Sequence, residues 1–181
     1  MKQVNLKLFL LLAALAFGFS LKANTGLGDD SRPLHEIHSM MMYNFMKYTK
    51  WPAAVESNSK FKIAIIGDKD LHNTLVSWYG TKKRGSQSYD IKYYGSVSEA
   101  PVDAQVIYLA SNKSKEFETL KQKIEGKPVL TVTDGNGLAK KGSNINFKVV
   151  NGKLKFEMNT ESVANANLQI SSSLQSLAII I

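Results

Sequence analysis

The chain contains no cysteine and only four prolines among its 181 residues. It therefore forms no disulfide and no thiolate metal site, and it cannot catalyse a reaction through a thiol. Attachment of a lipid to a cysteine is excluded for the same reason. The fold must be held by a hydrophobic core alone, and a chain of this length is long enough to build one.

Motifs of several enzyme classes are also absent. The sequence has no G-x-S-x-G nucleophile elbow and no Walker A pattern. Gly135, Gly137 and Gly142 do not have the spacing of a dinucleotide-binding loop. His35 and His38 stand three positions apart, but no third ligand accompanies them, so they do not predict a metal site. None of these patterns predicts a cofactor or a bound metal.

The one long apolar run lies at the N-terminus. Lys2 and Lys7 come first, residues 8–19 are almost all apolar, and Ala23 supplies a small residue just beyond them. This is the layout of a secretory signal peptide, and the run is shorter than the roughly 20 residues that span a bilayer. We predict that residues 1–23 are a signal peptide cleaved after Ala23, with an uncleaved anchor as the alternative.

The mature chain is predicted to lie outside the cytoplasm without an integral membrane segment, because no second run is long and apolar enough. Residues 24–33, rich in Gly, Asp, Asn and Ser, are predicted to form a flexible lead. Loss of the signal lysines lowers the net charge from +8 to about +5, spread along the chain, so no nucleic-acid partner is expected. The basic residues 82–84 are interpreted as a solvated loop, or alternatively as a contact to anionic lipid or an acidic partner.

Apolar residues at helical spacing predict a first helix that begins near Leu34 and is stopped by Pro52. Its expected core-facing stripe is Leu34, Ile37, Met41, Phe45 and Tyr48, extended by Trp51. The consecutive methionines within this helix are interpreted as core filling, because they have no soft-metal partner.

Nearly continuous apolar runs predict strands that are covered on both faces, as in a parallel sheet. These runs are residues 61–66, 106–110 and 129–132. Residues 89–94 alternate between apolar and polar and predict a more exposed edge strand. Alternation of strands with helices favours an α/β layout with right-handed crossovers.

Polar residues at the starts of two helices predict their caps. Asp68 or Asp70 is expected to cap the helix after the first strand, and Ser111 or Asn112 the helix after the second.

A β-hairpin is predicted in the C-terminal part. Asn151-Gly152 separates two alternating runs, which is the strongest short-range hairpin signal. A two-residue turn pairs Ile145 with Met158 and Phe147 with Phe156 on the core face, while Lys148–Lys155 and Asn146–Glu157 lie on the other, solvated face. Helices are predicted after the hairpin, the second of them sealing the core with Leu174 and Leu177, and the apolar end at 178–181 is expected to be docked.

The fold class that these patterns predict is α/β: a single three-layer domain with a mixed, largely parallel sheet flanked by helices and a C-terminal β-hairpin. In an open α/β sheet, ligands collect beyond the carboxyl ends of the strands. Asp68, Ser111, Asn112 and Asp134 are expected there and are our candidate ligand-binding residues. The alternative is that they only cap helices and form turns. Acid–base catalysis by Asp68 and Asp134 is a further alternative.

The order of several segments carries a resemblance that covers nearly all of the mature chain. The segments are 43–52 (YNFMKYTKWP), 61–67 (FKIAIIG), 128–134 (PVLTVTD), Gly142 with 145–147 (INF), 156–159 (FEMN), and 168–172 (LQISS) with Leu174 and Leu177-Ala178. In this order and spacing, residues 34–181 resemble the YfiR/HmsC-like family of exported bacterial proteins.

The resemblance implies a periplasmic α/β domain that acts as a regulator and has no catalytic residues. Members are associated with restraining a membrane-bound diguanylate cyclase, which lowers cyclic di-GMP and biofilm. Redox control through disulfides, which some relatives could use, does not carry over to a chain without cysteine. We predict a protein that binds an inner-membrane signalling protein, either a diguanylate cyclase or a sensor kinase, and a homodimer is compatible with this prediction. The alternatives are a small-ligand-binding sensory module and a carboxylate-dependent hydrolase.

Overall fold

The computed structural model describes residues 32–181. The predicted signal peptide, and all of the predicted lead except Arg32 and Pro33, lie outside the described residues. Within this part of the chain, no helix is both long enough and apolar enough to cross a membrane.

The helices of residues 32–181 are mostly short. They are α1 (Leu34–Lys47), α2 (Ala53–Glu56), α3 (Lys69–Tyr79), a 3₁₀ helix (Ser111–Glu116), α4 (Phe117–Lys123), α5 (Thr160–Asn165) and α6 (Ser172–Gln175). Only α1 and α3 are longer than two turns, and both pack on the same face of the sheet.

The strands form one large sheet and one two-stranded ribbon. They are β1 (Thr49–Lys50), β2 (Lys60–Ile66), β3 (Lys83–Arg84), β4 (Gln87–Tyr94), β5 (Val106–Leu109), β6 (Leu130–Thr133), β7 (Ile145–Val150), β8 (Lys153–Met158), β9 (Gln169–Ile170) and β10 (Ile179–Ile180). The large sheet has the order β10-β8-β7-β6-β5-β2-β4-β3, and β1 pairs with β9 separately. Within the large sheet, pairing is parallel except for β7 with β8 and β3 with β4, and the separate β1–β9 pair is antiparallel.

Two hydrophobic clusters cover the two faces of the sheet. The larger one joins the sheet to α1 and α3 through residues such as Phe45, Leu75 and Tyr108. The smaller one joins the opposite face to α4 through Phe117 and Leu120. These layers confirm the predicted three-layer α/β fold, including its largely parallel sheet and C-terminal hairpin.

The first helix ends earlier than predicted, and it turns a different face to the core than the predicted one. It stops at Lys47 because Thr49 pairs with Ile170 in the β1–β9 ribbon, while Pro52 begins α2 instead of ending α1. The prediction that Leu34 and Tyr48 face the core is wrong: they are 54% and 39% exposed. The buried positions are His38, Ser39, Met42, Phe45 and Met46.

The two helix-cap predictions had different outcomes. Asp68 caps α3 by accepting a hydrogen bond from the Leu71 N–H at 2.9 Å, as predicted. Neither Ser111 nor Asn112 caps α4, so that prediction is wrong. The segment after β5 instead begins as a 3₁₀ helix, whose tighter turn leaves the Asn112 side chain pointing back to the preceding loop, where it donates to the Gly67 carbonyl at 3.2 Å.

The hairpin register is as predicted, with Phe147 opposite Phe156 and Lys148 opposite Lys155. Asn151 and Gly152 form the turn with φ of 51° and 72°, the left-handed values that this turn needs. The polar face of the hairpin, however, is exposed to solvent only near the turn. Asn146 and Glu157 are 2% and 3% exposed, because β6 and β10 lie beside the hairpin at that end.

Burial of Glu157 is compensated by hydrogen bonds. Its carboxylate accepts from Asn146 Nδ2 at 3.1 Å and from Lys148 Nζ at 2.6 Å. Burial opposes ionisation, but these two donors prevail and hold the pKa of Glu157 below its usual value.

Candidate functional site

The carboxyl ends of β2, β5 and β6 meet at one edge of the sheet, because these three strands are parallel neighbours. Asp68 follows β2, Ser111 and Asn112 follow β5, and Asp134 follows β6. The fold therefore brings all four candidate ligand-binding residues to this edge. Their role in binding a ligand stays a prediction.

Two of the four residues have structural partners at this edge. Asp68 is occupied as the cap of α3, and Asn112 joins the β5 loop to the β2 loop through Gly67. The loops are also tightly packed. A Cβ atom added to Gly67 would lie 2.6 Å from Lys113 Cγ, and Gly67 has φ of 84°. Gly67 is therefore required for the close approach of these two loops.

The Asp134 carboxyl is the least satisfied group at the strand ends. Its Oδ1 atom is buried and has no hydrogen-bond partner among the described residues. Burial and the nearby negative charge of Asp68 raise the pKa of Asp134 above its usual value. The neighbouring Tyr108 hydroxyl and the Ser111 N–H act in the opposite direction. Asp134 is thus a partly desolvated carboxyl whose Oδ1 atom lacks a donor.

Tyr108 neighbours this carboxyl. It is fully buried in β5, and its hydroxyl oxygen has no hydrogen-bond partner in residues 32–181. Burial, followed by the charge of Asp134, raises the pKa of Tyr108. The two groups are close enough to influence each other's ionisation, yet neither Tyr108 Oη nor Asp134 Oδ1 is satisfied.

His38, a buried residue of α1, adds a third polar side chain to this cluster. Its ring lies 6.1 Å from the Tyr108 ring, it is 2% exposed, and its Nε2 has no partner among the described residues. Burial, with a smaller contribution from the charge of His35, lowers the pKa of His38 to about 4. We call His38, Tyr108 and Asp134 the buried polar cluster.

Sequence reasoning missed two of these three residues. Tyr108 lies in an unbroken apolar run, which predicts only a buried strand. For His38, the sequence indicates only a potential metal ligand, because His35 stands three positions before it. No group of three or more His, Asp or Glu side chains that could hold a metal occurs in residues 32–181. The buried polar cluster can accept and donate hydrogen bonds.

A second candidate site is an apolar groove between α1 and α6. It has a volume of about 340 Å³ and is lined by Met41, Asn44, Phe45, Tyr48, Phe156, Ser173, Leu174 and Leu177. Leu177 is 70% exposed, which makes the prediction that it seals the core wrong. It lies beyond the one-turn helix α6, whose Leu174 fills the core position instead.

The rim of this groove is polar, and one basic residue lies beside it. The Lys47 ammonium lies 5.4 Å from the centre of the exposed Tyr48 ring, and Asn44 lines the groove beside them. A concave apolar centre with a polar rim is the usual anatomy of a protein-binding surface. We call this region, centred on Tyr48 and Leu177, the α1–α6 surface.

The basic residues 82–84 are not all solvated. Lys82 and Lys83 are exposed, but the Arg84 guanidinium lies 5.0 Å from the Trp51 ring centre and 4.8 Å from that of Phe61. It also pairs with the Glu56 carboxylate and holds the pKa of Glu56 below its usual value. Arg84 is therefore a structural residue that ties β3 to the core.

These features describe a three-layer α/β protein with a buried polar cluster and an exposed apolar groove. The sequence profile of the YfiR/HmsC-like family matches residues 35–179. The chain belongs to this family. The family is regulatory rather than catalytic, and membership is consistent with a periplasmic regulator of cyclic di-GMP signalling.

Solved structures support the fold. One similar structure is a conserved domain protein from Vibrio cholerae O1 biovar El Tor strain N16961, with a TM-score of 0.51 and 8% sequence identity. The alignment covers 81% of this chain but only 60% of the Vibrio chain, so the likeness concerns the fold alone. No curated protein shows significant sequence similarity to this chain.

Proposed function

We propose that this protein is a non-enzymatic periplasmic regulator that binds the periplasmic part of an inner-membrane signalling protein and restrains it. The receptor is a diguanylate cyclase or a sensor kinase, and the output is lower cyclic di-GMP and less biofilm. Residues 1–23 act as the cleaved signal peptide, and residues 34–181 form the regulatory domain. Membership of the YfiR/HmsC-like family supports this proposal.

The observation that carries the proposal is the α1–α6 surface. Leu177, 70% exposed, and Tyr48, 39% exposed, border the same apolar groove. Soluble proteins tolerate scattered exposed apolar residues, but grouped ones beside a groove are typical of partner binding. Tyr48 is also of a residue type that is enriched among interface anchors, since it combines an apolar ring with a polar tip.

Restraint of a receptor requires a difference in affinity between its two states. A protein that binds both states equally shifts nothing, and moving a receptor from mostly one state to mostly the other takes about 5 kcal/mol of differential binding. Two or three buried apolar anchors, each contributing about 2 kcal/mol or more, supply a difference of that size. The Lys47 ammonium, 5.4 Å from the Tyr48 ring centre beside the groove, favours a receptor surface with an acidic side chain near its own apolar centre.

A crosslinking experiment on the intact cell envelope tests this proposal. The wild-type chain, Leu177→Asp and Val149→Asp are expressed in a strain without the native gene. Val149 is a matched control because it is 65% exposed and lies at the hairpin turn, outside the groove lining. An inner-membrane signalling protein should be recovered with the wild type and with Val149→Asp, but not with Leu177→Asp. Equal recovery with all three chains would exclude the α1–α6 surface.

A second candidate function is sensing of a small polar solute at the strand ends. The unpartnered Asp134 Oδ1 and Tyr108 hydroxyl favour it, because buried polar groups are normally satisfied. A ligand with hydrogen-bond donors would satisfy the carboxyl. Thermal stability is measured with a panel of small polar amines, for the wild type and for Asp68→Asn/Asp134→Asn. A stabilising compound that loses its effect on the double variant supports this function, and no stabilisation by any compound argues against it.

A further inference from the structure

A groove lined by α4 and α5 lies apart from the sites described above. Its volume is about 380 Å³, which is within the range of small-molecule pockets. It shares no lining residue with the α1–α6 groove, and it includes no member of the buried polar cluster. Two buried polar residues, Asn144 and Thr131, contribute to its lining, and Asn144 is only 3% exposed. We call this region the α4–α5 groove.

The orientation of the Asn144 amide is fixed by Thr131. Asn144 Oδ1 accepts from the Thr131 N–H and from Thr131 Oγ1, both at 2.8 Å. A backbone N–H can only donate, so the atom that it meets is the amide oxygen and the other atom is Nδ2. The backbone of Asn144 is also occupied, since its N–H donates to Thr131 Oγ1 at 2.9 Å and its carbonyl accepts from the Asn159 N–H at 3.0 Å.

Asn144 Nδ2 is therefore the one polar group of this residue without a hydrogen bond to residues 32–181. Buried amide groups are normally satisfied, and this one belongs to a residue that borders a groove. The amide oxygen is held from two sides, so the NH₂ group cannot turn away. It is a preorganised donor for an acceptor in the groove.

Two further donors border the same groove. Lys121 Nζ donates to the Lys141 carbonyl at 3.2 Å, which occupies one of its three N–H groups. Ser162 Oγ makes no hydrogen bond within the described part of the chain. A Cβ atom added to Gly142 would lie 3.4 Å from Lys121 Nζ and 3.6 Å from Ser162 Oγ, so the two donors lie around one point. Gly142 has φ of 111°, a conformation that favours glycine and keeps this point free of a side chain.

One wall of the groove is apolar. Phe117, Ile124 and Val129 contribute to it from the hydrophobic cluster that joins α4 to the sheet. An apolar wall with a few convergent polar groups is the usual form of a small-molecule site. Because the convergent groups here are donors, the matching ligand carries acceptor oxygens next to an apolar body.

The charges along the groove limit the kind of anion that it accepts. Lys121 and Lys127 line it, but so do Glu118 and Glu125, and the two signs balance. A phosphate ester, with its higher charge, would meet two carboxylates without an excess of positive charge to offset them. A single carboxylate requires only one ammonium and the neutral amide of Asn144.

We propose that the α4–α5 groove binds a small organic monocarboxylate with an aromatic or branched apolar body. The carboxylate accepts hydrogen bonds from Asn144 Nδ2 and Lys121 Nζ, with Ser162 Oγ beside them, and the apolar body lies against the wall that contains Ile124. The site does not depend on the proposed receptor, because it shares no lining residue with the α1–α6 groove.

Three matched probes test the chemistry of the ligand. Binding of phenylacetate, 2-phenylethylamine and inorganic phosphate to the purified protein is measured by isothermal titration calorimetry. Phenylacetate should bind with a Kd of about 1 mM or lower, which is realistic for a ligand of this size. The amine has a similar apolar body without the acceptors, and phosphate has the acceptors without the body, so both should bind at least about tenfold more weakly.

Nuclear magnetic resonance shows where phenylacetate binds. The backbone amide signals of Gly142 and Ser162 should shift during the titration, whereas those of Val149 and Leu177, outside the groove lining, should not. Shifts confined to residues outside the α4–α5 groove would overturn the proposal.

Two substitutions test the donors. Lys121→Gln should weaken phenylacetate binding by about tenfold or more, since it removes the charge at an exposed position. Lys115→Gln is the matched control, because Lys115 is exposed and lies outside the groove lining. Asn144→Asp replaces the amide donor with a carboxylate oxygen and should abolish binding, and its melting temperature shows whether it folds.

The Lys121→Gln result stands on its own if Asn144→Asp is unfolded. The proposal is wrong if phenylacetate does not bind the wild type at about 10 mM, or if 2-phenylethylamine or phosphate binds equally well. It is also wrong if Lys121→Gln binds phenylacetate as tightly as Lys115→Gln does.

Discussion

His38 stacks face to face on Phe147, with ring centres 4.0 Å apart and ring planes within 6°. The contact joins helix α1 to the hairpin strand β7 and removes the imidazole from water. A neutral imidazole is accepted in this position at little cost, but an imidazolium there would be a buried charge with no partner for its Nε2.

The stability of the protein should therefore decrease when the pH falls below about 6.5. The pKa of His38 is lowered from 6.5 in the unfolded chain to about 4 in the fold, so between these values only the unfolded chain binds the proton. The loss amounts to about 3 kcal/mol over this window. Urea unfolding of the wild type and of His38→Leu at pH 7 and pH 4.5 measures it.

Between pH 7 and pH 4.5, His38→Leu should lose much less unfolding free energy than the wild type. His72→Gln is the control, since His72 is partly exposed and lies beside Tyr93, outside this cluster. Parallel pH dependence of the wild type and His38→Leu would show that His38 is not responsible.

The hairpin offers a matched pair of substitutions on a single face. Phe147 is 4% exposed and Val149, two residues further along the same strand, is 65% exposed. Phe147→Ala should cost about 3–5 kcal/mol of unfolding free energy, and Phe156→Ala a similar amount, because each leaves a cavity in the core. Val149→Ala should change it by about 0.5 kcal/mol or less. Chemical denaturation measures all three, and a wild-type midpoint for Phe147→Ala would refute the packing.

Arg84 should not be replaceable by lysine. Its planar guanidinium donates to Glu56 Oε1 at 2.9 Å and to Gln87 Oε1 at 3.1 Å while stacking near Trp51. The ammonium of a lysine cannot donate to Glu56 and Gln87 in this planar arrangement. We therefore expect Arg84→Lys to lower the unfolding free energy by about 2 kcal/mol. Lys83→Ala, in the adjacent exposed position, should have no measurable effect. Equal stability of both variants would mean that Arg84 is as dispensable as its neighbour.

Export is testable at the N-terminus of the mature protein. The predicted signal peptide should be removed after Ala23, so protein isolated from the periplasm should begin at Asn24. N-terminal sequencing or intact-mass measurement determines this. Recovery of the chain with Met1 in the membrane fraction would instead indicate an uncleaved anchor.

The features that sequence predicted well are local ones. The register of the hairpin follows from Asn151-Gly152 and the alternation on both sides, and the cap of α3 is one of the two residues that the sequence offered, Asp68 rather than Asp70. The features it missed depend on distant partners. Alternation separates the two faces of the hairpin, but it does not reveal that neighbouring strands bury Asn146 and Glu157.

The same distinction applies to the sites. The general rule that ligands collect beyond the carboxyl ends of parallel strands predicts that Asp68 and Asp134 lie at the same edge of the sheet. Tyr108 cannot be recognised in this way, because it lies within an apolar run that predicts only a buried strand. The end of α1 was misplaced because Thr49 pairs with Ile170, far away in the chain. That early end contributes to the exposure of Tyr48, which makes the α1–α6 surface visible only in the folded protein.

The most direct test of receptor restraint through the α1–α6 surface is to measure cyclic di-GMP in cells that lack the gene. These cells are complemented with the wild type, Leu177→Asp or Val149→Asp, each expressed at an equal periplasmic level. We expect that loss of the gene raises cyclic di-GMP and surface attachment, that the wild type and Val149→Asp reverse both, and that Leu177→Asp does not. An unchanged cyclic di-GMP level in the deletion strain under several growth conditions, or full reversal by Leu177→Asp, would contradict it.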